Sequence, residues 1–590
     1  MSNNVFPNKI FKHLASVVFD AQKRLFSLSD LSDKQLYDSI VTPPDPAMGD
    51  FAIPCFLLSK PLKMAPNKVA EQLAFAISAD GIIRAVKPSG PYLNFTLENM
   101  AYGEIVSAII DHSYFKTPLI EKAENIMIEY SQPNTHKELH VGHMRNLCYG
   151  NALVHMNRYL GHKVIASTYP GDVGTHVAKC LWYLKFHNKL PAPTNNKGPW
   201  LGEMYSKASI KLEDEMGTPR EELNRKELTI ILKELTAEKG EYFELWKESR
   251  EWSIELMKQV YKWSDVLFDH WYFESQVDHP SIEFAKKWQQ QGLYIESEGA
   301  IGADLKDDKL GFCIMIKSDG TGTYAAKDIS LAYKKFDEYR LDRSYYVVDK
   351  RQALHFKQIF KVLEKQNFSH AKNCFHLEYD FVELPSGAMS SRKGNIIPLT
   401  DLTSLMEQKI RDDFLNKYQG EWPDQEISET AQQIANAAIK YGMVRMDSSR
   451  KIVFDMNEWL KLDGETGPYL QYVYARIRSL CEKQNFDEQK MANKKIAWNR
   501  LAEQVEKNIM VQLSTFNDIV KAATANHRPS MICNYLYDLG KSFNNFYANC
   551  PIGKAPDEDL KTARLALSLA VANIMREGLA LIGVKVPARM

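Results

Sequence analysis

The chain lacks any run of eighteen apolar residues, any Cys-x-x-Cys pair, any low-complexity tract and any internal repeat. The first absence removes a membrane-spanning helix. The second removes a zinc ribbon, and eight cysteines scattered singly offer no disulfide framework. A reducing, cytoplasmic setting without zinc is the expectation. The start, Met1-Ser2-Asn3-Asn4, has neither the basic stretch nor the apolar run of a secretory signal. Net charge is missing too, because 74 Lys+Arg balance 74 Asp+Glu, which argues against a dedicated nucleic-acid binder. Charge is not even along the chain: residues 441–590 hold 21 Lys+Arg against 16 Asp+Glu. That excess fits a solvated helical surface as well as it fits an RNA-facing one.

What remains is a 590-residue chain, 45% apolar and 25% charged, too long for one core and suited to three or four domains. The first ~115 residues read as a small unit, with a Pro-rich loop at 42–46 and the turn Gly90-Pro91 leading into a strand-like run. From about 124 the pattern becomes α/β. Ile126-Met127-Ile128 reads as a buried strand, a helix follows from about His140 to Leu160, Gly161 ends it, and residues 163–168 return as a strand. Residues ~190–265 are Lys/Glu-rich and helical and look inserted. A second α/β stretch has its strand at Ser344–Val348 and a helix after Gln352, and nearly everything past ~400 reads as helix.

Two strings carry chemistry. His140-Val141-Gly142-His143 sits where a strand and loop give way to a helix. Free backbone N–H groups there attract phosphate, and Gly142 lets a flat base or ribose approach the backbone. Read alone, the pair is equally two surface histidines or half of a metal site. Met389-Ser390-Ser391-Arg392-Lys393-Gly394-Asn395 is a basic loop of small residues that can fold over a triphosphate. Alone, it is an exposed basic turn. Tyr324 and Asp328 are four apart and share a helix face, where a carboxylate and a phenol could meet a guanidinium's planar donors, but read alone the pair is a surface helix contact. Glu129, at the end of the first strand, offers a second carboxylate where such sheets place ligands.

The order of the two strings resembles the class I aminoacyl-tRNA synthetases, and further segments resemble the arginyl-tRNA synthetase family within them. These are Ser131-Gln132-Pro133-Asn134 with Lys137, Gly171-Asp172-Val173-Gly174, Ser318–Thr321 through Tyr324 and Asp328, and Tyr346–Asp349 with Gln352. Thr466–Tyr472, Phe543–Tyr547, Cys550-Pro551-Ile552 and Val586–Met590 extend the likeness to the end of the chain. The resemblance implies a split, doubly wound parallel α/β catalytic domain at 116–400, interrupted by the insertion. It also implies a small α+β N-terminal domain at 1–115 that contacts the tRNA elbow. Residues 401–590 would be helical, with an anticodon-binding region from about 455. The implied reaction activates L-arginine with ATP and Mg²⁺ and loads it onto tRNA(Arg). A monomer is expected, and no protein ligand for Mg²⁺ is indicated. His140, Gly142, His143, Met389, Ser390 and Ser391 would bind ATP. Lys137 would replace the lysine that most class I relatives carry where this chain has Ser391, with Arg392 and Lys393 also acting on phosphate. Glu129, Asn134, Tyr324, Asp328 and Gln352 would hold arginine.

Rival readings are a nucleotidyl-transfer enzyme without RNA, a catalytically dead RNA-binding relative, and a synthetase for another amino acid. The helical C-terminal third, the presence of Lys137, His140 and His143, and the carboxylates Asp328 and Glu129 weigh against them in turn.

Overall fold

A computed structural model describes residues 8–26, 31–385, 387–388, 397–486 and 495–590. The N-terminal unit packs helices α1 (Lys9–Phe26) and α2 (Pro66–Ala76) on an antiparallel sheet of β1 (Phe51–Pro54), β3 (Tyr92–Leu97) and β2 (Ile83–Ser89), in that order, and ends in α3 (Asn99–Ile110). Its apolar face is continuous with the largest core, so the unit is not a free appendage.

The middle of the chain builds a five-stranded sheet in which every neighbouring pair is parallel. Its strands are β4 (Asn125–Glu129), β5 (Lys163–Thr168), β6 (His270–Trp271), β10 (Arg343–Asp349) and β11 (Cys374–Tyr379), ordered β11-β10-β4-β5-β6. Between β4 and β5 runs α4 (Val141–Leu160), closed by Gly161 at φ 103°. β4 and β5 match the expected strands, and the crossover helix begins one residue after His140. The sheet order places β4 at its centre, with the two halves of the domain growing outward from it, and ligands meet such a sheet at its carboxyl edge.

After β5 come α5 (Thr175–Phe186) and the inserted helices α6 (Lys197–Asp214), α7 (Arg220–Thr236) and α8 (Glu241–Trp263), which share a separate core around Trp182 and Ile231. Helix α9 (Glu274–Gln290) then leads into an antiparallel sheet of β7 (Ile295–Ser297), β8 (Ala300–Leu305) and β9 (Gly311–Ile316). Helix α10 (Tyr324–Tyr339) precedes β10, and α11 (Ala353–Lys365) precedes β11.

The last third is helical apart from the short strand Ile452–Val453: α12 (Leu399–Ile410), α13 (Asp424–Val444), α14 (Gly467–Lys483), α15 (Gln504–Ser514), α16 (Phe516–Ala525), α17 (Ser530–Asn549) and α18 (Glu558–Leu581) are its main elements. Buried polar contacts lock this third to the rest of the chain. Arg145 of α4 donates to the carbonyls of Met443, Asp447 (3.1 Å) and Ser448 (3.4 Å). The N-terminal unit is tied in as well: Asn8 Nδ2 donates to Asp518 Oδ2 at 2.8 Å, and Lys507 Nζ meets Asp50 Oδ2 at 3.0 Å.

One close approach fixes how α4 lies on β4. A methyl group at Gly150 would overlap the ring of Tyr130, which is fully buried at the end of that strand. Gly150→Ala should therefore lower the unfolding free energy by about 1–3 kcal/mol through overpacking. Gly81→Ala, with nothing within 4 Å of its new methyl, should stay within about 0.5 kcal/mol of the parent. Denaturant unfolding of both variants checks the contrast.

Candidate active site

The first helical turn of α4 leaves backbone N–H groups without helical partners, and here two imidazoles take them. His140 is the N-cap, in extended backbone, and its Nδ1 accepts the N–H of Gly142 at 3.1 Å. The N–H of His140 in turn donates to Nδ1 of His143 at 3.1 Å. An Nδ1 that accepts a backbone proton cannot carry one, so each neutral ring bears its proton on Nε2. Burial lowers His140 to about 4. It drives His143 well below the usual range too, with the Lys137 charge adding to that and the hydrogen bond from the His140 backbone opposing it. Both rings are therefore neutral Nε2–H donors near pH 7, with centroids 4.1 Å apart.

The loop from β4 into this helix is held in an unusual backbone path. Ser131 (φ 54°) and His136 (φ 59°) both occupy the left-handed region, which is costly for non-glycine residues unless the surroundings enforce it. Asn146, in the second turn of α4 and buried, enforces the first. Its Oδ1 accepts the N–H of Ser131 at 2.6 Å, and its Nδ2 lies 3.0, 3.0 and 3.1 Å from Gln132 Oε1, Val347 O and Tyr379 Oη. One side chain thus ties the ends of β4, β10 and β11. His136 is fixed from the insertion: Ser253 Oγ accepts its backbone N–H at 2.9 Å, and its Nε2 lies 2.8 Å from Ser249 Oγ. Lys137 follows, its Nζ 5.1 Å above the Tyr205 ring on α6.

Beside this loop lies a cluster of carboxylates. The buried Tyr169 hydroxyl sits within the fields of Asp328, Glu274, Glu129 and Asp172, which with burial hold it well above its ordinary range. These carboxylates arrive from four elements, and three of them have partners. Asp172 is fully buried between Arg250 Nε (2.7 Å) and Ser275 Oγ (2.7 Å). Glu129 is ion-paired with the buried Lys335, whose Nζ also lies 4.6 Å from the Tyr346 ring. Asp328 Oδ2 meets His355 Nε2 at 2.7 Å. The Glu274 carboxyl alone has no hydrogen-bond or ion-pair partner among the described residues, although the residue is only 5% exposed. Burial raises its carboxyl to about 8, with the charges of Asp172, Asp328 and Asp278 adding to that rise and Lys327 opposing it. Gly171 makes room for the arrangement. A methyl there would overlap Asn134 Oδ1 and stand 3.5 Å from Glu274 Oε2, so Asn134 and Glu274 border the same spot.

The structure therefore brings Glu129, Asn134 and Asp328 into one neighbourhood, with Tyr324 at the start of α10 feeling the charges of Glu274, Lys327 and Asp328. Glu129, expected to offer a second carboxylate, is ion-paired with Lys335 through one of its oxygens. Tyr324 is 60% exposed, and Gln352 lies exposed in the single turn between β10 and α11. Met389, Ser390, Ser391, Arg392 and Lys393 lie outside the described residues. The chain that follows them returns to the first motif: Pro398 forms a bridge with His140, and Leu399 N donates to Leu139 O at 2.8 Å. Sequence reading missed Glu274, His355, Lys335 and Asn146. A lone glutamate in a helix's first turn carries no signal beyond favourable placement near the helix dipole.

Three family models match the chain. The model for class I tRNA synthetases (R), catalytic domain, covers residues 104–456, the arginyl tRNA synthetase N-terminal domain 12–97, and the DALR anticodon-binding domain 470–590. An arginine–tRNA ligase of Bdellovibrio bacteriovorus is 54% identical over 97% of this chain and 97% of its own. That of Clostridium perfringens is 33% identical over 95% and 97%. Among solved structures, the Thermus thermophilus arginyl-tRNA synthetase superposes with a TM-score of 0.79 at 24% identity, covering 98% of this chain and 100% of that one.

The raised carboxyl of Glu274 has a thermodynamic signature. The group titrates near its ordinary 4.5 when unfolded and near 8 when folded. Between those values the unfolded chain has released a proton that the folded chain still holds, so stability falls as pH rises through that window. Glu274→Gln should remove this slope. Its melting temperature should gain steadily on the parent's between pH 5 and pH 8, and an unchanging difference would mean the carboxyl is ionised in the folded protein.

Proposed function

The chain belongs to the arginyl-tRNA synthetase family of class I aminoacyl-tRNA synthetases, and from that membership we propose how its residues divide the work of an arginine–tRNA ligase. The enzyme activates arginine with ATP and transfers it to tRNA. In the first step an arginine carboxylate oxygen attacks the α-phosphorus of ATP, the bond to the β-phosphate bridge breaks, and arginyl-adenylate and pyrophosphate result. In the second, a ribose hydroxyl at the tRNA 3′ end attacks the adenylate carbonyl, its proton is lost, and AMP leaves. Neither step needs a covalent nucleophile from the protein, so catalysis rests on positioning and on stabilising charge as it builds on phosphate oxygens.

The observation that carries the site assignment is the unpartnered, buried Glu274 beside Asp328 at the carboxyl edge of the sheet, one loop away from the capped start of α4. A guanidinium entering there meets carboxylates already desolvated. Its charge would draw the proton off Glu274, and its planar fork matches carboxylate acceptors in a way a compact ammonium cannot. Lysine would leave acceptors unpaired, which is how polar sites reject a near-substrate without an editing reaction. Asn134 and Gln352 would hold the α-amino and carboxylate ends. The Nε2–H groups of His140 and His143 would donate to ATP phosphate, with Gly142 giving the nucleotide access to the backbone. Lys137, close enough to depress both His143 and His176, would supply the cation that Ser391 does not. Met389, Ser390, Ser391, Arg392 and Lys393 would close over the triphosphate. Mg²⁺ would accompany ATP as part of the substrate complex.

For the RNA, the C-terminal helices offer Tyr472, 38% exposed on α14, and Arg476, whose guanidinium stacks 4.4 Å from the Tyr547 ring. Cation and aromatic together suit an unstacked base. The N-terminal unit would meet the tRNA elbow. Among the described residues no helix is long and apolar enough to cross a membrane. We place the enzyme, as a monomer, in the cytoplasm where its substrates are used.

Asp328→Asn keeps shape and removes charge. It should raise the arginine KM roughly 10- to 100-fold, the worth of a hydrogen bond to a charged group, and leave the ATP KM nearly unchanged. Arginine-dependent pyrophosphate exchange in the presence of tRNA measures both. A variant that kept its arginine KM and lost ATP affinity would move Asp328 to the nucleotide site.

A further inference from the structure

Asp328 does not stand alone at the pocket. His355 Nε2 lies 2.7 Å from its Oδ2, and both side chains are largely shielded, at 23% and 19% exposure. The imidazole is held from behind. Its ring packs edge-on against Phe356 at 5.4 Å, and Phe356 stacks on His376 at 4.5 Å and 21°. His376 is itself fixed to the strand end through Nε2 and Val348 O at 2.9 Å. The ring's position is therefore set by packing on α11 and β11, whereas the carboxylate stands in the first turns of α10. The nearest cation on α10, Lys327, is taken by Asp278 at 2.7 Å and does not orient Asp328.

We propose that His355 is a specificity-determining positioning residue: it pins Oδ2 of Asp328 so that the carboxylate presents Oδ1 and its plane to the guanidinium of arginine. This rests on the reading that Asp328 receives that guanidinium. The selectivity follows from geometry. A guanidinium needs the carboxylate in its own plane, whereas an ammonium is a point charge that tolerates any rotation about the Cβ–Cγ bond. Freed from His355, Asp328 loses arginine affinity and keeps most of whatever attraction it has for lysine. The same short segment, residues 349–355, then supplies both Gln352 for the backbone end of the substrate and His355 for the side-chain end.

The test uses the full-length enzyme with tRNA and reads pyrophosphate exchange. His355→Ala should raise the arginine KM about tenfold, leave the ATP KM and the saturated kcat within about twofold, and narrow the arginine-to-lysine preference. His355→Gln places an amide Nε2–H near the same point and should bring the arginine KM back to within about threefold of the parent. Asp328→Asn runs alongside. If it raises the arginine KM and His355→Ala does not, Asp328 binds arginine without help and the positioning role is overturned. If His355→Ala and His355→Gln damage kcat and both KM values together, His355 serves the fold only. If Asp328→Asn itself spares arginine, the substrate assignment falls and takes the inference with it.

Discussion

The unmet backbone N–H groups at the start of α4 are the constraint from which the site follows. A helix beginning at the carboxyl end of a central parallel strand aims those groups at whatever binds there. In this protein they are not left for the ligand alone. His140 and His143 accept one each through Nδ1, and that single choice fixes tautomer, ring position and charge together. A protonated imidazole could not accept, so the cap and the neutral state support one another. Burial pushes the same way. The result is a pair of Nε2–H donors that carry no positive charge of their own near pH 7, which is what the proposed role at ATP phosphate asks of them, with the cation supplied by Lys137 in the same proposal.

The rest of the pocket is a problem of charge. Four carboxylates around Tyr169 would repel one another if all were ionised and bare. Lys335 neutralises Glu129, Arg250 neutralises Asp172, His355 binds Asp328, and Glu274 keeps its proton. Every solution but the last is a contact. The last leaves a neutral buried acid, and it lies next to Asn134 in the gap that Gly171 opens. The strained path through Ser131 and His136 is tolerated for the same end, because Asn146 and the insertion's serines hold the loop that carries Asn134, Lys137 and His140.

Much of this was legible beforehand wherever the signal is local. The strand at 125–129, the helix ending at Gly161, the strand at 163–168 and the helix after Gln352 follow from apolar periodicity and a left-handed glycine. The helical insertion and the helical last third were readable from composition. What stayed hidden depends on distant contacts. Nothing in the sequence announces Lys335 as a buried partner of Glu129. Glu274 and His355 stand in helices with no local pattern that sets them apart. The β7–β9 sheet left no clear alternation of its own, with Gly302 and Gly311 interrupting it. The docking of the N-terminal unit on the last helices through Asn8, Asp50, Lys507 and Asp518 joins residues from opposite ends of the chain, which no local pattern encodes.

The central claim is that His140 and His143 meet the nucleotide as neutral rings with the proton on Nε2. Long-range ¹H–¹⁵N NMR of protein labelled in histidine, assigned with single-site variants and recorded from pH 5.5 to pH 8, reads it directly. The account predicts that both rings show an acceptor-type Nδ1 and a protonated Nε2 throughout that range, without a titration step. An imidazolium signal at pH 7 from either ring, or a proton on Nδ1, would contradict the cap that organises this site.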